Sequence, residues 1–263
     1  MLTKTVFDDR VYFHSSVLNE LDGLTHCFTS KCGGVSCGTV KGLNLGYRVG
    51  DDVEAVNENY RLVAKDMGFD FKRITAGRQT HSSNIRIITE SDAGKGVSRE
   101  SEFEDVDGLV TNVKDLALVV YYADCVPVLL VDERAEVVAA VHSGWRGTVA
   151  QIVKNAVDIM VSDFGADLGR IKAVIGPSIG LCCFETGEEV ACQFDKSLVE
   201  PCGNDKFKVD LQKANENILL SCGLKHENID VLKICTVCNN DILYSYRMQK
   251  DATGRMGAFI SLN

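Results

Sequence analysis

Two residues with reactive side chains, Cys125 and His142, adjoin neighbouring apolar segments in the middle of the chain. Cys125 precedes residues 126–131, and His142 follows residues 136–141. Both segments are short, rich in valine and alanine or leucine, and separated by polar residues, a pattern typical of a β-hairpin. A thiol and an imidazole brought together by such a hairpin can bind one metal ion, or can act as a nucleophile and its base.

The register of this hairpin decides whether the two side chains meet. If the chain turns at Glu133–Arg134, Cys125 faces His142, and directly opposed residues have Cβ atoms roughly 4.5–5.5 Å apart. Pro127 lies inside the first segment, and a proline there favours an edge or a bulge. A shift of one residue would send one of the two side chains to the opposite face.

His81 is a candidate third donor, because it follows a predicted strand at residues 74–80. Catalytic zinc sites typically have three protein ligands and leave one position for water, which then becomes a usable nucleophile near neutral pH. His81, Cys125 and His142 would form such a set. Nothing in the local sequence shows that His81 meets the other two.

The segment after His142, Ser143 to Thr148, predicts an anion site at the start of a helix over residues 148–165. Free N–H groups, the positive end of the helix dipole and the Arg146 guanidinium would together bind a phosphate or carboxylate. Arg146 could equally pair with an acid on the surface.

Two loops are further candidates for ligand contacts. Residues 32–46 contain five glycines and predict a shaped loop, which could wrap a ligand or form a plain turn. They match neither the P-loop nor the G-x-G-x-x-G pattern. Residues 90–105 are polar and charged, and they predict a surface loop able to act as a mobile flap.

The remaining pattern predicts short strands alternating with a few helices. The predicted helices are residues 51–67, 148–165, 187–195 and 211–222; further predicted strands are 84–89, 107–111, 116–122, 171–175, 229–235, 241–246 and 256–262. The alternation lacks a regular βαβ rhythm, which favours an α/β fold with mixed sheets and a single domain over residues 1–263.

The composition excludes some classes of partner. Lysine and arginine total 28 and aspartate and glutamate total 37, so the net charge is −9. General attraction to nucleic acid or to an anionic membrane is therefore not expected. The first residues lack the apolar segment of a signal peptide, and no apolar run approaches the ~20 residues that span a bilayer. We expect a cytoplasmic protein, with a monomer favoured.

The chain has 11 cysteines, an odd number that argues against a complete disulfide framework. Cys235 and Cys238 have C-x-x-C spacing, which is typical of a redox site or of half a zinc site. Because no second pair with this spacing follows, we interpret both as structural residues.

Several motifs resemble those of one protein family, the YfiH/YlmD (DUF152) family. The motifs are CGGVS with GLNLG, GRQTHSSNI, DGLVT, YYADCVPVLLVD, AVHSGWRGT, IGPSIGLCCFE and SYRMQKDATGR, and the resemblance covers nearly the whole chain. Family members are described as purine nucleoside phosphorylases with adenosine deaminase activity, and earlier as laccases. The resemblance implies a layered α/β sandwich and zinc bound by His81, Cys125 and His142.

The resemblance also implies substrates. These are phosphate and purine nucleosides: adenosine, inosine, guanosine and methylthioadenosine for phosphorolysis, and adenosine for deamination. Phosphorolysis requires an anion site beside the sugar, for which the candidates are Arg146, Asn44 and Arg48. Two positions depart from the family pattern: Met248 replaces an arginine and Phe184 replaces a tyrosine.

Three other functions remain open on the residues. Cys125 could be the nucleophile of a hydrolase with His142 as base, acting on peptidoglycan precursors as described for some bacterial members. A copper polyphenol oxidase fits less well, because several copper ions need many histidines and the chain has five. A non-catalytic zinc-binding protein would have a closed site with four ligands.

Overall fold

Two six-stranded β-sheets pack face to face in the computed structural model, which describes residues 2–263, and helices cover their outer faces. The strands are β1 (Leu2–Phe7), β2 (Arg10–Ser15), β3 (Leu24–Thr29), β4 (Ile74–Ala76), β5 (Ile85–Ile87), β6 (Gly108–Thr111), β7 (Ala117–Tyr122), β8 (Val126–Asp132), β9 (Val137–Ser143), β10 (Lys172–Ile175), β11 (Glu185–Thr186), β12 (Val199–Gly203), β13 (Lys206–Val209), β14 (Ile229–Val231) and β15 (Met256–Leu262). The α-helices are α1 (Ser16–Asn19), α2 (Val53–Met67), α3 (Trp145–Val149), α4 (Ile152–Phe164), α5 (Glu188–Ala191), α6 (Leu211–Ser221) and α7 (Tyr246–Gln249).

The first large sheet has the strand order β1-β2-β3-β15-β7-β4, and the second has the order β14-β10-β8-β9-β6-β5. A small third sheet has the order β11-β13-β12. Most pairs are antiparallel, whereas β4–β7, β5–β6 and β10–β14 are parallel. The predicted layered α/β fold with mixed sheets is confirmed.

Side-chain alternation along the strands separates the layers. In β7, Leu118 and Val120 face the second sheet, whereas Ala117 and Val119 pack with α2. The central strands β8 and β9 are buried along their whole length, because helices α4 and α6 cover the face that the first sheet does not. Strands buried on both faces read as continuous apolar runs, which is the pattern seen at residues 126–131.

The β8–β9 hairpin forms with a register two residues away from the predicted one. Pro127, not Cys125, lies opposite His142, and Val131 lies opposite Val138. The connection is longer than predicted, and its last residue, Glu136, has a φ of 47°. A shift of two residues preserves the face, so Cys125 and His142 remain diagonal neighbours on the same side.

Several other element predictions differ from the structure. The strand predicted at residues 229–235 ends at Val231, and the helix predicted at residues 187–195 is limited to the four residues of α5. The helix predicted over residues 148–165 is broken between α3 and α4 at Gln151, whose φ is 56°. Residues 241–245 form a turn followed by irregular backbone, and helix α7 begins at Tyr246, so the predicted strand is absent. The strand predicted at residues 74–80 ends at Ala76. Beyond it, the Gln79 side chain makes the hydrogen bonds to strand β7 that a strand backbone would otherwise make. Its amide nitrogen donates to the Tyr121 carbonyl at 2.8 Å, and its oxygen accepts from the Tyr121 N–H at 2.6 Å.

Within residues 2–263, none of the helices has the length and apolar character needed to cross a membrane.

The glycine-rich loop is hydrogen-bonded to the segment that follows strand β3, and this close approach leaves no room for a side chain at Gly42. Gly42 has a φ of 118°, and a Cβ there would lie 2.0 Å from the Lys31 carbonyl oxygen. We predict that Gly42→Ala lowers the free energy of unfolding by about 2 kcal/mol more than Gly38→Ala, measured by urea denaturation. Gly38 also has a positive φ, 65°, but a Cβ there meets nothing within 4 Å, so its replacement by alanine should cost only about 1 kcal/mol. Equal losses in the two variants would contradict the steric explanation.

Candidate active site

His81, Cys125 and His142 come together on the wall of a large cavity. Their donor atoms all lie within 4.8 Å of one another, and the two imidazole rings are 5.1 Å apart at an angle of 71°. His142 is buried and Cys125 half-buried, whereas His81 is exposed. Two imidazoles and one thiolate are ligands that zinc and copper both accept.

The Asp107 carboxylate fixes both histidines. His142 Nδ1 donates to Asp107 Oδ1 at 2.8 Å, which directs the other ring nitrogen, Nε2, towards Cys125. The same carboxylate accepts hydrogen bonds from the backbone N–H groups of Thr80, His81 and Ser82 at 2.9–3.0 Å. These bonds hold the loop in which His81 has a φ of 66°. A carboxylate bonded to the outer nitrogen of an imidazole is the usual second layer of a histidine metal site.

The position of Asp107 follows from the second sheet. Asp107 immediately precedes β6, and β6 pairs antiparallel with β9, so that Gly108 lies opposite Val141. The His142 N–H donates to the Asp107 carbonyl at 2.8 Å, which continues this pairing by one residue. The backbone ladder therefore places the carboxylate beside the imidazole.

The charges of these groups are coupled. Burial alone would raise the pKa of Asp107, but the hydrogen bond and charge of His142 outweigh it and hold that pKa well below its usual range. Burial would lower the pKa of His142, but Cys125 and Asp107 raise it to about 9. Burial would likewise raise the pKa of Cys125, yet His142 and His81 lower it to about 6. The thiolate form that binds metals is therefore favoured near neutral pH.

Gly144 leaves the space into which the three donors converge. A Cβ on this residue would lie 2.9 Å from Cδ2 of His81 and 3.2 Å from Sγ of Cys125. Its backbone dihedral angles are ordinary, φ −68° and ψ 171°, so the need for glycine is steric and not conformational. A side chain here would push the His81 ring away from the other two donors.

Asp124 connects the site to the C-terminal part of the chain. It has a φ of 91°, and its carboxylate accepts from the Thr236 hydroxyl at 2.5 Å and from the Arg247 N–H at 2.6 Å. Its carbonyl accepts from the Ile179 N–H at 2.8 Å. These bonds fix the backbone immediately before Cys125, so Asp124 positions the thiol.

The cavity has a volume of about 990 Å³, and seven aromatic residues and five arginines contribute to its lining. Its aromatic residues are Tyr47, Phe103, Tyr121, Tyr122, Trp145, Phe184 and Tyr246, and its arginines are Arg48, Arg78, Arg99, Arg247 and Arg255. Against these five arginines stand three acids, of which Asp124 is already hydrogen-bonded as described. The cavity is therefore a basic region on a chain of net charge −9.

The structure brings only one of the three predicted substrate contacts to this cavity. Arg48 lines it. Asn44 is fully buried, donating to Gly46 and Asp51 and accepting from Gly46 and Arg255. Its amide thus holds the glycine-rich loop and the C-terminal segment together.

Arg146 also lies outside the cavity lining. It is exposed, and its guanidinium lies over the Trp145 ring at 4.2 Å. The long helix on which the predicted anion site was based is absent, because α3 has only five residues before the chain breaks at Gln151.

Several site residues were missed by the sequence reasoning. Asp107 is the first residue of the motif DGLVT. Its position, an acid directly before a predicted strand, could have identified it as a candidate site residue. Arg247 and Arg255 belong to a basic cluster near the C-terminus, but nothing in their spacing placed them at Cys125. The polar loop at residues 90–105 does contribute to the cavity, through Val97, Arg99 and Phe103 among others.

Known proteins resemble this chain over most of its length. The sequence model of a family described as "Multi-copper polyphenol oxidoreductase laccase" matches residues 25–263. Purine nucleoside phosphorylase YlmD of Bacillus subtilis is 33% identical over 245 residues, which are 89% of this chain and 87% of that protein. Adenosine deaminase RL5, from an unknown prokaryotic organism, is 36% identical over 222 residues, covering 81% of this chain and 84% of that protein.

Solved structures share the fold. The crystal structure of YlmD from Geobacillus stearothermophilus has a TM-score of 0.91 with 30% identity, covering 98% of each chain. The crystal structure of the Bacillus licheniformis hypothetical protein YfiH also has a TM-score of 0.91, with 29% identity, covering 98% of this chain and 97% of that one.

The hydrogen bonds of Asp107 predict how strongly the site depends on it. Asp107→Asn removes the negative charge that accepts from His142 and from the loop of His81. We expect metal affinity to fall about 10–100-fold, measured by competition with a chelator of known affinity. Asp105→Asn is the matched control, since Asp105 lies in the same loop, is exposed and bonds only to Thr80 and Asn84 among the hydrogen bonds observed. An unchanged affinity in Asp107→Asn would show that the carboxylate does not organise the ligands.

Proposed function

The chain belongs to the laccase-like YfiH/YlmD family, some members of which process purine nucleosides, and on this premise we propose that it is a zinc-dependent purine nucleoside enzyme. The proposed reactions are the phosphorolysis of adenosine, inosine, guanosine and methylthioadenosine, and the deamination of adenosine. The observation that carries the proposal is the meeting of His81, Cys125 and His142 on the wall of a basic, aromatic cavity.

The three donors suit a catalytic zinc ion. They supply two imidazoles and a thiolate, Asp107 supports one imidazole from behind, and Gly144 leaves room between them. Three protein ligands leave one coordination position for water or substrate. Bound zinc would supply a Lewis acid and make water a usable nucleophile near neutral pH.

The cavity suits a purine nucleoside together with phosphate. Aromatic side chains such as Tyr121 and Phe184 offer flat apolar surfaces against which a purine can pack. Arginines bind phosphate through paired N–H donors. Arg48 is the favoured phosphate contact, because it lines the cavity and is exposed to it, whereas Arg247 and Arg255 already donate to backbone carbonyls.

Each reaction places a different demand on these residues. In phosphorolysis, a phosphate oxygen forms a bond to the ribose C1′ while the bond from C1′ to the purine nitrogen breaks, and the purine leaves with a proton. In deamination, water adds to the purine carbon that bears the amine, and ammonia leaves. The arginines would hold the phosphate for the first reaction, and the histidine and cysteine cluster would hold the reacting centre for the second.

Zinc is favoured over copper because neither reaction transfers electrons, and zinc has no redox chemistry. The cluster of two histidines and one cysteine accounts for one ion, whereas an oxidase with several copper ions would need more imidazole ligands than the remaining histidines provide.

A cysteine hydrolase is the second candidate, and the geometry gives it one specific support. Cys125, His142 and Asp107 form the order of nucleophile, base and orienting acid that such enzymes use. The two proposals differ in the need for metal.

Removal of metal tests the proposal directly. Protein freed of metal by a chelator should lose the conversion of adenosine, in the presence of phosphate, to inosine and hypoxanthine, and added zinc should restore it. His81→Ala combined with His142→Ala should reduce the rate at least about 100-fold, because removing ligands removes the Lewis acid. Product formation is followed by chromatography.

His226→Ala is the control for these variants, because His226 is 81% exposed and lies outside the cluster. Full activity in the double variant would overturn the proposal. A covalent adduct on Cys125, trapped in active metal-free protein, would establish the hydrolase instead.

Arg48→Gln separates the two reactions. Loss of a charge-assisted contact to phosphate should raise the KM for phosphate about 10–100-fold, with adenosine deamination nearly unchanged. Arg146→Gln is the matched control, since Arg146 is exposed outside the cavity lining, and it should leave both reactions unchanged. If Arg146→Gln, and not Arg48→Gln, raises this KM, the assignment of the phosphate contact is wrong.

A further inference from the structure

A second group of potential metal ligands lies behind the cavity wall. We name it the four-cysteine cluster, and it consists of Cys182, Cys183, Cys235 and Cys238. The C-x-x-C pair, Cys235 and Cys238, has no second C-x-x-C pair after it in the sequence. The fold places the adjacent residues Cys182 and Cys183, more than 50 positions earlier in the chain, beside it. We propose that the four-cysteine cluster binds one Zn²⁺ ion as a closed tetrathiolate site.

The distances between the sulfur atoms fit this ion. Cys238 Sγ lies 3.6 Å from Cys182 Sγ and 3.5 Å from Cys183 Sγ, and all four sulfur atoms lie within 4.8 Å of one another. A tetrahedron with zinc–sulfur bonds of about 2.3 Å has edges of about 3.8 Å. A disulfide would bring two sulfur atoms to about 2.05 Å, and no pair among these four is bonded in that way. The cluster therefore has the size of a four-coordinate site.

Backbone contacts hold the two cysteine segments beside each other. Ser178 donates to the Ile234 carbonyl at 3.1 Å, and the Thr236 N–H donates back to the Ser178 carbonyl at 3.0 Å. The Gly180 N–H donates to Cys235 Sγ at 3.3 Å. Backbone N–H groups directed at sulfur are typical of the outer layer of thiolate metal sites, where they stabilise the negative charge.

Four thiol groups that share one small volume are the donor set that a divalent cation such as zinc prefers. A divalent cation deprotonates coordinating thiols and would replace their protons. A charged group is near as well, because the Arg247 guanidinium donates to the Cys183 carbonyl at 3.4 Å.

The location of the cluster indicates a structural role for this ion. Ile179 and Phe184, on either side of the cysteine pair, line the cavity. Thr236, next to Cys235, donates to the Asp124 carboxylate. An ion shared by both segments would fix this part of the cavity wall without contacting the substrate. Structural zinc sites have four protein ligands and no open position, as here.

Cobalt is the probe for the test, because tetrahedral cobalt thiolates absorb strongly in the visible region. Full-length Cys125→Ser is purified under reducing conditions, freed of metal and titrated with Co²⁺ alone. This variant lacks the only thiolate among His81, Cys125 and His142, so a thiolate–cobalt band would come from the four-cysteine cluster. We expect the band to appear, and added zinc to displace it.

Zinc content gives an independent readout. Cys238→Ser should contain one zinc ion fewer per chain than wild type, whereas Cys192→Ser, which changes an exposed cysteine elsewhere, should lose none. The variant Cys125→Ser retains all four cysteines of the four-cysteine cluster, so absence of the cobalt band in this variant would overturn the proposal. A disulfide within the cluster in the freshly purified protein, or iron with acid-labile sulfide, would overturn it too. None of these outcomes depends on nucleoside activity, so this proposal and the proposed function fail separately.

Discussion

The buried carboxylate of Asp107 is the constraint on which the arrangement of His81, Cys125 and His142 depends. A carboxylate removed from water is stable only where several donors surround it. Here the donors are the His142 imidazole and three consecutive backbone N–H groups at residues 80–82. One group thereby fixes two histidines that lie about 60 positions apart. The strand pairing of β6 with β9 brings the carboxylate there, so the sheet and the site are parts of the same arrangement.

Asp124 has the corresponding role on the side of Cys125. Its backbone adopts a positive φ immediately before the cysteine, and its carboxylate binds Thr236 and the Arg247 backbone. Thr236 in turn adjoins Cys235 of the four-cysteine cluster. His81, Cys125 and His142 line the cavity, and Ile179 and Phe184, which flank two residues of the four-cysteine cluster, line it as well. The Asp124 carboxylate, which is not a proposed metal ligand, connects the segment before Cys125 to the segment of the four-cysteine cluster.

Features that depend on a short-range residue pattern, such as the strands, could be predicted from the sequence. Features that depend on contacts between distant residues could not. The apolar runs of β7, β8, β9 and β15 were correctly identified, and the pairing of Cys125 with His142 survived a register error because the shift was two residues. The sequence did not show that Asn44 is buried, because its amide accepts from the Arg255 N–H, which is 211 positions away and is brought close only by the fold. The C-x-x-C pair was judged incomplete for the same reason. The convergence of His81 on the site came from family resemblance alone, since no local pattern encodes the Asp107 carboxylate around which its loop folds.

In the proposed site, Asp107 arranges His81, Cys125 and His142 around one zinc ion. Anomalous diffraction at the zinc absorption edge, on crystals of the zinc-loaded protein, tests it most directly. We expect an anomalous peak within bonding distance, about 2.0–2.3 Å, of Cys125 Sγ and of one ring nitrogen of each histidine, with Nε2 as the ligand atom of His142. A crystal that shows no peak among these three residues, or that shows Nδ1 of His142 bound to the metal and released from Asp107, would contradict this arrangement.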